Sequence, residues 1–394
     1  MADRLNVTGV LLVGGASERF GSPKALASFR GETLAERAWR TLSAACDEVL
    51  AVGKDEDALE LPFPVLDDGS DERAPIFGLS AGLRAAAHDT CVVLPVDCPL
   101  VTVGVLRTLA ERVAVPQTGP LPGAYSKAML GELEERVERG ELSLRGVNPT
   151  VVEIDEAPLL NLNTRMELLE AQIADWAAGR EDVRAAVVIG SRARREAPAD
   201  RYSDLDVLLF LADPRRYEED ETWVEEFGAP VLTFLEPSKD GHVERRVLYE
   251  TGEDVDLVLL PAEAAGGDGP AGVLQRGYRV LVDRIGVSGR LEEIAAASVA
   301  TTPPTERELT ELASDFWYHA LWTAKKLRRG EVFVAIECLD AYLKARLVTM
   351  LEWHARALDP GVDTWHGGRF LERWADPGAL AALERAYAHY DLRD

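Results

Sequence analysis

An apolar run that ends in a glycine pair sets the strongest constraint on how this chain folds. Residues 7–13 are almost entirely apolar, Gly14 and Gly15 interrupt the run, and a segment with Arg19 and Lys24 follows. This pattern is typical of a buried strand, a glycine loop and a helix. Strands and helices alternate after it, with strands predicted at 48–52, 91–96, 151–154 and 159–163 and helices at 33–45 and 79–87. The alternation predicts a doubly wound parallel sheet with helices on both faces.

A second unit begins near Thr164. Apolar residues recur at helical spacing over 166–178, and Gly179 ends the predicted helix. Hairpin-rich strands follow at 185–189, 206–211, 231–234, 246–249 and 255–260, and the chain has a helical pattern from Thr305 onward. We therefore predict an α/β domain, then an α+β domain, then a helical bundle, with bounds 1–164, 165–290 and 291–394.

Composition excludes several classes of protein. The 394 residues are 47% hydrophobic and 28% charged, and no apolar run has the length of a bilayer. The formal charge of −25 disfavours binding to nucleic acid, because the phosphate backbone attracts Lys and Arg clusters. The first residues lack the features of a signal peptide, and the four cysteines suit neither disulfides nor a zinc site. We expect a cytoplasmic protein without membrane or nucleic-acid partners.

The glycine loop near the N-terminus has the composition of a phosphate cradle. Gly14 and Gly15 allow backbone N–H groups to approach a triphosphate, and Arg19 and Lys24 supply positive charge to its oxygens. The spacing matches neither the Walker loop nor the dinucleotide fingerprint, and a glycine pair alone is also common in turns. The loop is predicted to bind a nucleotide.

Asp97 is the first candidate metal ligand. It follows the apolar run at 91–96, where α/β sheets bind their ligands, and a carboxylate there is suited to Mg²⁺ bound to phosphates. The alternative is an ordinary capping aspartate. We predict the metal site.

These N-terminal motifs together resemble the molybdenum cofactor guanylyltransferases and their MobA-like relatives. The motifs are Gly14-Gly15-x-x-x-Arg19-x-Gly21-x-x-Lys24, residues 74–82, residues 94–99 and Asn161-Leu162-Asn163-Thr164. The resemblance implies a Rossmann-like fold of the nucleotide-diphospho-sugar transferase type. It also implies attack by a phosphate acceptor such as molybdopterin on the α-phosphorus of GTP or CTP. Arg19, Lys24 and Asp97 would stabilise the charge, and Asn163 would assist the metal.

A second constellation lies beyond the junction. Gly190, Ser191 and Arg192 follow an apolar run and are predicted to bind a triphosphate. In Ser203-Asp204-Leu205-Asp206 the two carboxylates project to the same side of a strand, and two carboxylates on one face repel unless a cation lies between them. Asp256 lies in a later strand-like run. The three carboxylates predict two-metal nucleotidyl transfer.

This second part resembles the polymerase-β-type nucleotidyltransferases, and among them the streptomycin or aminoglycoside 6-adenylyltransferases. The resemblance rests on Gly190-Ser191-Arg192, Asp204-x-Asp206, residues 254–257, residues 277–283 and Asp315-Phe316-Trp317. It implies transfer of AMP from ATP to a hydroxyl, with Asp256 or Asp315 as the base. Acidic and aromatic residues of the tail would hold a cationic aminoglycoside. Alternatively, Trp317, Tyr318 and Trp322 form a helical core, which is the commoner role of such residues.

The sequence thus predicts a fused, Mg²⁺-dependent nucleotidyltransferase with two NTP sites and small-molecule acceptors. One alternative keeps a catalytic C-terminal site and gives the N-terminal domain a regulatory role. Another is a non-catalytic NTP-binding, antitoxin-like protein.

Overall fold

The computed structural model describes residues 4–14, 20, 23–237, 241–267, 271–297, 303–365, 367–387 and 390. Contacts between residues divide the chain into two compact units, Met1–Ala297 and Ser298–Asp394. The first unit contains both large β-sheets, and the second is helical.

The first sheet has five strands in the order β5-β4-β1-β6-β8, and only β8 runs antiparallel to its neighbour. The elements of this part are β1 (Leu5–Leu12), β2 (Ser28–Phe29), β3 (Glu32–Thr33), α1 (Leu34–Ala45), β4 (Cys46–Gly53), β5 (Val65–Asp67), α2 (Pro75–Ala85), β6 (Thr90–Pro95), α3 (Val103–Arg112), β7 (Val115–Pro116), β8 (Gly123–Ser126), α4 (Leu130–Glu138) and β9 (Val151–Val152). The predicted doubly wound α/β fold is confirmed.

Both faces of this sheet are covered, as the alternation of side chains along β1 requires. Leu11 packs in one core cluster with residues of α1 and α3, whereas Val10 and Leu12 pack on the opposite face with residues of α2 and α4. The strand predicted at 159–163 is wrong, because this segment is irregular after a 3₁₀ turn at Ala157–Leu159. Its Leu162 N–H donates to the Asp97 carbonyl instead of to a neighbouring strand.

The second sheet has six strands in the order β12-β13-β14-β11-β10-β15, and only the β11–β14 pair is parallel. Its elements are α5 (Arg165–Ala178), β10 (Val183–Ile189), β11 (Leu205–Leu211), α6 (Pro214–Glu219), β12 (Pro230–Pro237), β13 (Val243–Tyr249), β14 (Asp254–Pro261), α7 (Ala271–Leu274), β15 (Arg279–Asp283) and α8 (Val287–Ala296). This mixed, hairpin-rich sheet confirms the predicted α+β domain.

The second unit consists of helices, as predicted for the tail. They are α9 (Glu306–Arg328), α10 (Val332–Glu337), a π-helical turn (Cys338–Leu343), α11 (Lys344–Leu358), α12 (Leu371–Trp374) and α13 (Pro377–Glu384). Within the described parts of the chain, no helix combines the length and apolarity needed to cross a membrane.

Two aromatic residues of α9 are exposed. The side chains of Trp317 and Tyr318 are 71% and 66% accessible, so the interpretation of both as helical core is wrong. The helix packs against the following helices through the face that carries Asp315 and His319, which contact Tyr342. Residues 317 and 318 lie on other faces of the helix.

Asp283 caps the start of α8, and its removal is expected to loosen that helix. Its carboxylate accepts hydrogen bonds from the N–H groups of Ile285, Val287 and Ser288 and from Ser288 Oγ. Partial burial would raise the pKa of Asp283, but these hydrogen bonds lower it to about 2. Asp283→Ala should therefore destabilise α8 by about 1 kcal/mol at neutral pH.

The pH dependence of this effect has a defined sign. Because the folded state lowers the pKa of Asp283, its contribution is present above the ordinary pKa near 4 and is lost as the pH falls toward about 2. Amide hydrogen exchange across 287–296 checks this, with Asp283→Asn as a control that keeps one accepting oxygen. An equal loss of protection for Asp283→Ala at pH 7 and at pH 2 would contradict it.

Candidate active sites

The first candidate site lies where β6 ends. Lys24 begins a 3₁₀ turn, and its Nζ donates to Asp97 Oδ2 at 3.2 Å and to Asn163 Oδ1 at 3.1 Å. Asp97 follows β6 by two residues, and its backbone carbonyl accepts the Leu162 N–H at 2.8 Å. The structure thus brings Lys24, Asp97 and Asn163 together at the carboxyl end of the sheet, the edge at which α/β proteins bind ligands.

A cavity of about 360 Å³ is lined by Lys24, Asp97 and Asn161. Gly14 lines it, whereas the predicted phosphate ligands Gly15 and Arg19 lie outside the described residues. Three charged side chains that the sequence analysis did not select also line the cavity, namely Lys54, Asp68 and Arg73. Their signal in the sequence is weak, because they lie in the connections on either side of the short strand β5.

Lys54 and Asp68 form a buried ion pair at this cavity. Lys54 Nζ lies 2.9 and 3.1 Å from the two carboxylate oxygens of Asp68 and also donates to the Ser70 carbonyl. The two side chains are only 5% and 8% accessible. The cavity wall therefore carries two opposite charges that compensate each other away from water.

Lys54→Met is expected to lower the free energy of unfolding by about 3 to 5 kcal/mol, because it leaves the Asp68 carboxylate buried without its cation. Urea titration followed by circular dichroism measures this loss. The double variant Lys54→Met/Asp68→Leu removes both charges and should recover most of the stability. A double variant as unstable as the single variant would contradict the pairing.

The second candidate site forms a row across four strands. Ile189 of β10 pairs with Asp206 of β11, Asp206 pairs with Asp256 of β14, and Asp256 pairs with Arg246 of β13. Asp204 precedes β11 by one residue. Carboxylate oxygens of Asp204, Asp206 and Asp256 lie within 4.8 Å of one another. The structure thus brings the three predicted metal ligands into one cluster.

Gly190 begins the turn beside this cluster and has a positive φ of 70°. A Cβ atom at this position would lie 2.9 Å from Asp206 Cγ and closer still to its Oδ2. Only glycine allows both the backbone conformation and the close approach of the carboxylate. The Gly190 turn and the acidic cluster are therefore in close contact, and this contact requires glycine at position 190.

Asp256 has the most unusual surroundings of the three carboxylates. Its residue is 5% accessible, its Oδ1 is buried without a hydrogen-bond partner, and its Oδ2 accepts from the Arg246 guanidinium. Burial raises the pKa of Asp256 to about 6, against the lowering effect of Arg246 and with smaller raising effects of Asp254 and Asp204. An unpartnered buried oxygen in an all-oxygen cluster fits a hard divalent cation.

Arg192 and Ser191 contact the loop before β11. The Arg192 guanidinium donates to the carbonyls of Asp204 at 3.1 Å and Ser203 at 2.8 Å, and burial lowers its pKa. The buried Ser191 hydroxyl lies 3.5 Å from the Asp204 carbonyl. In this arrangement both side chains hold the segment that carries Asp204.

In the helical unit, the Asp315 carboxylate is fully engaged. It accepts from Arg346 Nε at 2.8 Å and from the Tyr342 hydroxyl at 2.9 Å, and His319 Nδ1 lies 2.9 Å away. The hydrogen bond from Arg346, with further effects of Tyr342 and His319, lowers the pKa of Asp315. These surroundings suit an ion-pair anchor better than a base, which must accept a proton.

Glycine turns beside strand-end carboxylates are compatible with nucleotidyl transfer, and comparisons with known proteins identify both halves as nucleotidyltransferases. A family model described as Streptomycin adenylyltransferase matches residues 163–394, and one described as MobA-like NTP transferase domain matches residues 9–148. The chain therefore belongs to the streptomycin adenylyltransferase family through its C-terminal part and to the molybdenum cofactor guanylyltransferase family through its N-terminal part. Both resemblances found in the sequence are confirmed.

Individual relatives match one half each. The probable molybdenum cofactor guanylyltransferase of Aquifex aeolicus is 36% identical over 173 residues, which cover 40% of this chain and 86% of that protein. The aminoglycoside 6-adenylyltransferase of Bacillus subtilis is 27% identical over 192 residues, which cover 46% of this chain and 65% of that enzyme, just under two thirds of its length. A solved structure of an Aquifex aeolicus protein is 34% identical and covers 40% of this chain and 94% of its own, with a TM-score of 0.35.

Proposed function

We propose that this chain is a two-site nucleotidyltransferase. Its first site transfers a nucleoside monophosphate from GTP or CTP to a phosphate acceptor such as molybdopterin. Its second site transfers AMP from ATP to a hydroxyl of an aminoglycoside-like acceptor, and both sites release pyrophosphate. The observation that carries the proposal is the cluster of Asp204, Asp206 and Asp256 beside the Gly190 turn.

At the first site, Lys24 would bind the triphosphate and Asp97 would hold the metal ion. An oxygen of the acceptor phosphate forms a bond to the α-phosphorus, and the bond from that phosphorus to pyrophosphate breaks. The acceptor oxygen is already ionised at neutral pH, so positioning and charge compensation suffice and no base is needed. Asn163, which accepts from Lys24, orients the lysine amino group.

At the second site, Asp204, Asp206 and Asp256 would hold Mg²⁺, and backbone N–H groups of the Gly190 turn bind the triphosphate. When bound, magnesium would compensate the charge that builds on the phosphorus and on the leaving pyrophosphate. The acceptor hydroxyl forms the new oxygen–phosphorus bond and gives up its proton. Of the two carboxylates considered, Asp256 is the proposed proton acceptor, because it lies in the acidic cluster beside the Gly190 turn, whereas Asp315 is held by Arg346 and Tyr342.

The two activities are assigned to the predicted domains. Residues 1–164 carry the first reaction, residues 165–290 carry the second, and residues 291–394 supply acceptor contacts. Among the latter, the exposed aromatic side chains of Trp317 and Tyr318 are suited to a cationic ligand. The four cysteines are buried and free, in keeping with a reducing compartment. We therefore assign the enzyme to the cytoplasm.

The proposal is tested by transfer of label from each α-labelled NTP to a panel of aminoglycosides and pterin phosphates. We expect GTP or CTP to label a pterin phosphate and ATP to label an aminoglycoside. Both transfers should stop when EDTA removes divalent ions and resume with excess Mg²⁺. Label in aminoglycosides alone would favour a regulatory N-terminal domain. Binding of NTP without any transfer would favour a non-catalytic role.

A further inference from the structure

Helix α5 belongs to the cores of both sheets. Leu168 and Ala171 pack in the core cluster of the first sheet, whereas Leu169, Ile173 and Trp176 pack in that of the second. Each set is buried on its own side of the same helix. A displacement of α5 against one sheet must therefore change its packing against the other sheet, because packed interiors do not deform locally at low cost.

The start of α5 is built into the first site. Asn163, which accepts from Lys24, immediately precedes the N-cap residue Thr164, and Thr164 and Glu167 form a reciprocal capping box. Arg165 donates to the carbonyl of Phe20 at 2.8 Å, and its guanidinium lies over the Phe20 ring. A ligand that draws Lys24 away from Asn163 acts directly on the first turn of this helix.

The next turn of α5 is connected to the second site by contacts of Arg279 and Arg192. Glu170 forms a bidentate ion pair with Arg279, at 2.8 Å to Nε and 2.6 Å to one terminal nitrogen. Arg279 also donates to the Arg192 carbonyl at 3.3 Å, and Arg192 holds the carbonyl of Asp204. One set of polar contacts thus joins Lys24 to the start of α5, a second set joins Glu170 to the Asp204 carbonyl, and the helix itself connects the two sets.

We propose that α5 couples the two nucleotide sites, so that a nucleotide bound at the first site weakens nucleotide binding at the second. The proposal rests on the two-site function given above. Triphosphate oxygens compete with Asn163 for the Lys24 amino group, and loss of that bond relaxes the start of α5. Glu170 then holds Arg279 less firmly, and the turn Gly190–Arg192 loses part of its support. By linkage, ATP at the second site must weaken the first site by the same factor.

The test is calorimetric titration of the full chain with Mg²⁺ and α,β-methylene analogues of GTP or CTP and of ATP, which bind without turnover. Asp97→Asn and Asp204→Asn identify the site that each analogue occupies. We expect saturation of the first site to raise the Kd of the ATP analogue at least about fivefold, within the usual range of coupling between sites. The reciprocal titration should give the same factor.

Glu170→Gln tests whether the coupling depends on the contact between α5 and Arg279. It breaks the ion pair with Arg279, so the ATP analogue should bind this variant as weakly as it binds the wild type with the first site filled, with no further response. Glu134→Gln breaks the exposed Arg84–Glu134 pair away from α5 and should leave the coupling unchanged.

Several outcomes of these titrations would contradict the coupling. Equal affinities with the first site empty and filled, a tightening, or a coupling factor that survives Glu170→Gln would overturn it while the two-site function stands. Failure of the GTP and CTP analogues to bind at all would instead remove the first-site function, and the coupling with it.

Discussion

Asp206→Asn is expected to reduce AMP transfer at the second site by about 10³-fold, equivalent to about 4 kcal/mol of transition-state stabilisation. Asp206 is one of the two inner members of the row across the second sheet, paired with Ile189 on one side and Asp256 on the other. An amide at this position removes one charge from the acidic cluster but keeps its shape. Label transfer from α-labelled ATP measures the effect.

Asp254→Asn is the matched control for this variant. Asp254 is exposed and lies on the same strand as Asp256, but it is not a member of the cluster. Its removal should leave transfer within about threefold, because exposed charges are largely screened. Binding of Mn²⁺ followed by electron paramagnetic resonance should weaken in Asp206→Asn and stay unchanged in Asp254→Asn. Equal losses of activity in the two variants would mean that charge near the site, and not metal ligation, matters.

Gly190→Ala is the second substitution with a large expected effect. The new methyl group would overlap Asp206 Oδ2, and alanine is strained at a φ of 70° by about 1 kcal/mol. The carboxylate must move or the turn must open, and either change disrupts the acidic cluster. We expect loss of AMP transfer by at least about 100-fold, since a small misplacement of catalytic groups has effects of that size.

Gly252→Ala distinguishes the effect of backbone strain from the effect of overlap with Asp206. Gly252 also has a positive φ, 93°, but among the described residues no atom beyond its own chain neighbours lies within 4 Å of the position its Cβ would take. This variant should lose about 1 kcal/mol of stability to backbone strain and keep its activity. If Gly190→Ala and Gly252→Ala lost stability equally and both stayed active, the close approach of Gly190 to Asp206 would be irrelevant to the chemistry.

Features that depend on local patterns could be predicted from the sequence. The apolar run before Gly14 and the apolar runs around Asp206 and Asp256 identify strands, and the spacing of Asp204 and Asp206 places both on one side. Asp97 is predictable as a strand-end carboxylate. The helical tail also follows from periodicity.

Features that depend on strand order or on long-range contacts could not be predicted. The contact of Arg246 with Asp256 requires β13 to lie beside β14, and the Lys54–Asp68 pair joins two loops across β5. The packing of α5 against both sheets is visible in the sequence, because the apolar residues of this helix extend around more than one face, as in a helix buried on several sides. The leucine-rich segment at 159–163 favours a strand by its pattern, whereas the Leu162 N–H donates to the carbonyl of Asp97, two residues beyond the end of β6.

The most direct test of two separate catalytic sites is a crossed transfer experiment. Label from GTP or CTP into a pterin phosphate and label from ATP into streptomycin are measured side by side in the wild type, Asp97→Asn and Asp206→Asn. We predict that Asp97→Asn loses the first product at least about 100-fold and keeps the second within about threefold, and that Asp206→Asn shows the reverse. Loss of both products in either variant, or of neither in both, would contradict the account.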